Sequence, residues 1–87
     1  MKSSFLIVLL LAAAPVNAAR DDFGQGVAAM ACAMLDSDYS RREVENVLNL
    51  LERQIIRSGI SEQGQAQMAR GFNYQASRND CSLRYRY

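Results

Sequence analysis

Two cysteines, Cys32 and Cys81, carry the plainest chemistry in this chain of 87 residues. Such a pair can hold a metal, exchange electrons or cross-link. A structural zinc site wants four ligands, and the sequence contains no histidine to complete one. A redox pair usually forms a Cys-x-x-Cys motif, which is absent. A structural disulfide remains. It closes a loop of about 50 residues, worth about 4 kcal/mol in the chain-entropy model.

Other catalytic chemistry is thin. Without histidine the commonest general base is missing. No glycine-rich phosphate loop occurs, and no serine lies in a nucleophile-elbow pattern. Glu43 and Glu45 are close in sequence, but they read as a helix cap and a solvated face. Paired carboxylates that cleave glycosides need a cleft, for which a small helical domain has little room. Asp36 and Asp38 have the spacing of two calcium ligands. The glycine and terminal glutamate of a calcium loop do not follow, so they read as a turn. Met30 and Met34 read as core, and no haem-attachment motif accompanies them. The expectation is a non-enzymatic protein with no cofactor and no metal. An enzyme of unrecognised kind would need a pocket holding a carboxylate of raised pKa.

Arginine and tyrosine recur near the C-terminus. Arg70, Tyr74 and Arg78 fall at i, i+4 and i+8, and Gln63 and Gln67 extend the strip. The chain ends Leu83-Arg84-Tyr85-Arg86-Tyr87, with apolar residues alternating as in a strand. Arginine stacks on tyrosine with ~0.5–1 kcal/mol at exposed sites, and both types are enriched at binding hot spots. Arg70, Tyr74, Arg78, Tyr85, Arg86 and Tyr87 are therefore the candidate partner-binding residues. The plain alternative is a solvated helix face followed by a frayed terminus.

These residues need a scaffold, and its start is an export signal. Lys2 supplies the positive charge, Phe5–Ala14 is a ten-residue apolar core, and Val16-Asn17-Ala18 fits the small-residue cleavage rule. That core falls short of the roughly 20 apolar residues that span a bilayer. Residues 1–18 are expected to be cleaved, with cleavage after Ala19 as the alternative, and no membrane span then remains. Residues 19–87 form one domain, with a tail from about residue 79. Loss of Lys2 leaves nine arginines against nine acidic residues, a formal charge of zero. That balance asks for neither nucleic acid nor an anionic membrane. So small a core rarely supplies more than roughly 3–5 kcal/mol, and a disulfide between Cys32 and Cys81 fits both that need and an oxidising compartment. The expected location is the periplasm or the exterior.

The periodicities predict three helices. The first covers residues 22–36, capped by Asp21 or Asp22, with Phe23, Val27, Met30 and Met34 as its main stripe and Cys32 opposite. The second runs from Ser40 to Gly59 and is the most amphipathic. Ser40 and Glu43 have capping-box spacing, Val44, Val47, Leu48, Leu51 and Ile55 share one face, and Gly59 supplies the left-handed stop. The other helices are expected to pack around it. Leu50 and Ile56 lie on its two flanks, and read either as a widened buried face or as a homodimer edge. The third runs from Glu62 to about Arg78, capped by Ser61, with Met68, Ala69, Phe72 and Ala76 inward. Gly64 and Gly71 on one flank predict a close crossing. A helix-turn-helix reader of DNA fits poorly with an exported, neutral domain.

The expected architecture is an all-α, three-helix bundle with one disulfide behind a cleaved signal peptide. Two functions fit it. One is an interaction protein that grips a protein partner with its Arg/Tyr surface and tail. The other is an envelope holding chaperone that acts by partial unfolding.

Overall fold

The computed structural model describes residues 16–86. Among them are three helices and no strand: α1 (Val16–Leu35), α2 (Arg41–Arg57) and α3 (Glu62–Arg78). Residues 1–15 of the expected signal segment lie outside the described residues. The expected cleavage point after Ala18 falls in the first turn of α1.

Local sequence sets the helix ends. The Glu43 amide donates to Ser40 Oγ at 3.1 Å, and the Ser40 amide donates to Glu43 Oε1 at 2.8 Å. This reciprocal pair satisfies two amides at the start of α2 that have no partner in the helix. At the other end Gly59 takes φ 82°, a conformation glycine adopts without steric cost. The Gly64 amide donates to Ser61 Oγ at 3.1 Å and opens α3. Asp36-Ser37-Asp38 is a turn, as expected.

Two expectations about packing are corrected. The first helix begins at Val16, so Asp21 and Asp22 lie inside it and do not cap it. Asp21 instead accepts from Gln25 Nε2 at 3.1 Å, one turn further on. The main stripe of α1 is not its inner face either. Met30 is 66% exposed and Phe23 is also exposed, while Gly24, Ala28, Ala31 and Cys32 are buried. Cys32 does lie across the helix from the methionines, but its side is the one that faces the core.

The cause is the distance between α1 and α3. A Cβ on Gly24 would overlap the Met68 carbonyl and come within 2.9 Å of the Phe72 amide nitrogen. A Cβ on Gly71 would overlap the Asp21 carbonyl. Backbones this close leave room only for glycine and alanine between them, so the larger side chains of α1 are turned to its flank. Ala69, Phe72 and Ala76 complete the core from α3, and Gln67, expected on the outer strip, is 8% exposed.

The principal packing is thus between α1 and α3, and α2 is not the centre. Among the described residues its one buried side chain is Val44. Leu48, Leu51 and Ile55 are half-buried, and Val47, Leu50 and Ile56 are exposed. The widened buried face is therefore not formed.

Three glycines separate these effects. Gly24→Ala and Gly71→Ala are each expected to destabilise by about 1–3 kcal/mol through overpacking. Gly26 has nothing within 4 Å of a built Cβ, so Gly26→Ala is expected to stabilise by about 0.5–1 kcal/mol. Urea midpoints check both signs. The capping box adds a pH dependence. The Ser40 amide and hydroxyl hold the Glu43 carboxyl below its ordinary value of 4.5. Its contribution is then complete above that pH and lost as pH falls through the lower folded value. Urea titrations across this window should show the loss in the parent protein and not in Glu43→Gln, which has no carboxyl to titrate.

Candidate functional site

The C-terminal segment is built onto the core by four kinds of contact. The end of α3 comes first. The Asp80 amide donates to the Ser77 carbonyl at 3.2 Å and the Cys81 amide to the Ala76 carbonyl at 2.9 Å. These are the two bonds of a Schellman motif, with Asp80 at φ 52° where glycine is usual. The turn sends Cys81 back toward α1, where it forms the disulfide with buried Cys32 at a Cα separation of 5.9 Å.

Beyond the bond the chain forms no helix, and burial alternates along it. Leu83 is 3% exposed in the core, Tyr85 is half-buried, and Arg84 and Arg86 are exposed. No strand accompanies it among the described residues. A side chain takes that role: Asn73 Nδ2 donates to the Tyr85 carbonyl at 2.9 Å, and the Tyr85 amide donates to Asn73 Oδ1 at 2.6 Å. Arg41 Nη1 donates to Ser82 Oγ at 2.6 Å and ties the tail to α2. Arg84 Nη1 folds back on the carbonyls of Cys81 and Leu83.

The outer face of α3 holds Arg70, Tyr74 and Arg78, all exposed. Arg78 Nη1 donates to the Tyr74 hydroxyl at 2.9 Å, and its guanidinium carbon lies 5.6 Å from the Tyr74 ring centroid. One turn of spacing on a helix makes that contact local, and it favours one arrangement of the two side chains. Gln63 is exposed along the same side.

These parts do not form one continuous cluster. Asn73, which holds the tail, and Tyr74 are successive residues, about 100° apart around α3. The tail and the Arg/Tyr strip therefore occupy neighbouring flanks. Tyr85 lines an apolar cleft together with Phe23, Leu48, Leu51, Ile55 and Phe72, with about 60 Å³ of free volume. Arg86 borders a second depression with Arg41, Glu45 and Arg84. Tyr87 lies outside the described residues.

Sequence reasoning missed Asn73 and the cleft. A lone asparagine within a helix carries no signal of a partner twelve residues on. The cleft had one, since the Phe23–Met34 stripe and the apolar face of α2 are both longer than the core consumes. Among the described residues no helix is long and apolar enough to cross a membrane, and no three His, Cys, Asp or Glu side chains gather as for a metal ion. Comparison with known proteins returns no match: no family model fits the chain, and no curated protein or solved structure is similar to it.

The Asn73 clamp is separable from the disulfide. Asn73→Ala should raise amide exchange at Tyr85 at least tenfold and cost about 1–2 kcal/mol, since two backbone groups lose their partner. Arg86→Ala should change neither. Hydrogen exchange read by NMR distinguishes them.

Proposed function

We propose that this is a small exported, non-enzymatic interaction protein that binds a protein partner through the outer face of α3, with Arg70, Tyr74 and Arg78 as the contact residues. The Arg78–Tyr74 stack carries the reading. The two side chains already touch on an exposed face, so a partner meets them partly arranged and part of the ordering cost of binding is reduced. Arg84 and Arg86 stand exposed on the adjoining tail and add positive charge on the next flank. An acidic patch with an apolar slot for the Tyr74 ring is the complementary surface. The formed disulfide is compatible with an oxidising compartment, and export supplies one.

The holding chaperone is the weaker reading. Of its two triggers, reduction would act on the Cys32–Cys81 bond, while mild acid needs titratable groups in the core whose protonation loosens it. Among the described residues no acidic side chain is buried.

The test is affinity capture from the protein's own envelope fraction, with the oxidised protein as bait. One partner should be enriched, should elute with salt, and should bind the Arg70→Ala/Tyr74→Ala variant at least tenfold more weakly. Both residues are exposed, so circular dichroism should be unchanged. Equal capture by parent and variant overturns the assignment of this face.

A further inference from the structure

The strip on α3 leaves a second surface unexplained. Phe23, Met30, Val47 and Leu50 are large, apolar and about half exposed or more, in a domain short of core. Their positions are related. Phe23 and Val27 of α1 line the same cleft as Leu51 and Ile55 of α2. Met30 lies one turn along α1 from Val27, and Val47 one turn along α2 from Leu51. The opposite flank of α2, with Arg41, Glu45, Asn49 and Glu52, runs beside the tail. Val47 and Leu50 therefore lie on the flank of α2 opposite the one beside the tail, and Phe23 and Met30 are the exposed large apolar residues of the neighbouring α1. Ile56 is not part of that flank, since it lies about 120° around α2 from Leu50.

We infer that this flank and the neighbouring α1 form a homodimer seam in which α2 packs antiparallel on α2 of a second copy, with the two-fold axis at Leu50. The sequence of that flank argues for a second copy. Glu43, Val47, Leu50, Gln54 and Arg57 follow one another in steps of four and three, the repeat of a packed helix seam. Leu50 is equidistant from Glu43 and Arg57, seven residues to each side. A two-fold axis there sets Leu50 on Leu50 of the partner subunit and Glu43 against Arg57 of the partner subunit, twice by symmetry. Both residues are exposed, and the Ser40 contacts hold Glu43 toward its charged form.

Size fits the same occupant. A seam as long as α2 and two helices wide covers roughly 25 by 20 Å. That is below the ~800 Å² per partner of a standard interface and marks a weak, reversible dimer. This surface is separate from the α3 face, so the two assignments stand or fall independently.

Sedimentation equilibrium of the oxidised protein, from about 10 µM to about 1 mM, tests the dimer at a strength expected for so small an interface. A monomer–dimer equilibrium is expected. Leu50→Glu should give monomer throughout. Arg57→Glu, which sets like charges together, should raise the dissociation constant roughly tenfold at low salt. Ile56→Glu and Tyr74→Ala should leave it unchanged. Circular dichroism confirms the fold of each variant, and the exposed Arg57 provides a test that does not disturb the apolar seam. Monomer at every concentration, or equal loss in Ile56→Glu, overturns the proposal. A protein that stays monomeric while a different protein binds at Leu50 overturns it as well.

Discussion

The contact between the backbones of α1 and α3 governs the rest of the molecule. At Gly24 and Gly71 each helix lies where a Cβ would have to be. Helix pairs usually meet through interleaved side chains at 8–10 Å, and this pair is drawn together with small residues instead. The gain is backbone contact along a row of alanines. The consequence is a core poor in large side chains: among the described residues the buried apolar ones larger than alanine and cysteine are Val44, Phe72 and Leu83. Apolar bulk that an ordinary bundle would enclose is moved to the flanks, and α2 is left with a shallow seat.

A core of that kind needs help from the chain's end, and the tail serves as a fourth packing element. Its components depend on one another in order. The left-handed Asp80 turns the chain, the turn delivers Cys81 to Cys32, and the bond fixes the position from which Leu83 reaches the core. Asn73 then fixes the register of Tyr85 by pairing with both of its backbone groups. Without that register the alternation would have no fixed sense, because a slip of one residue exchanges buried for exposed side chains. With it, Arg84 and Arg86 are held outward.

Legibility in the sequence followed the range of the interaction. Helix ends set by contacts three or four residues apart were readable: Ser40 with Glu43, Ser61 with Gly64, and Gly59. So was the Cys32–Cys81 bond, because only two cysteines exist. The inner face of α1 was not readable. Hydrophobicity ranks Phe23 and Met30 above Gly24 and Ala28, and only the separation of two helices, a tertiary quantity, reverses that order. The same reversal removed α2 from the centre. Its strong amphipathicity reports one face that prefers burial, not the amount of surface other elements can offer it. Gly71 was read as a close crossing, while its counterpart Gly24 gave no sign of one. Of the candidate site, the Arg70–Tyr74–Arg78 strip was legible because i, i+4 spacing is enough to place it. The division between that strip and Tyr85 was not, since it depends on Asn73.

The two surfaces differ in what they can do for a partner. The α3 face is polar and its central pair is already in contact, so it favours selectivity, with charge steering the approach and a single ring to seat. The α1–α2 seam is apolar and shallow. Burial there contributes energy in proportion to area, with little direction of its own, and the terminal charges of α2 must supply the register. A small domain with one polar face and one open apolar seam can bind through the first while the second holds two copies together. On the two proposals together, two identical faces on one particle would engage a repeated or two-fold target with higher effective concentration than either alone. In that arrangement the weakness of the seam is compatible with function, because local concentration on the target favours the dimer and release of the target restores the monomer.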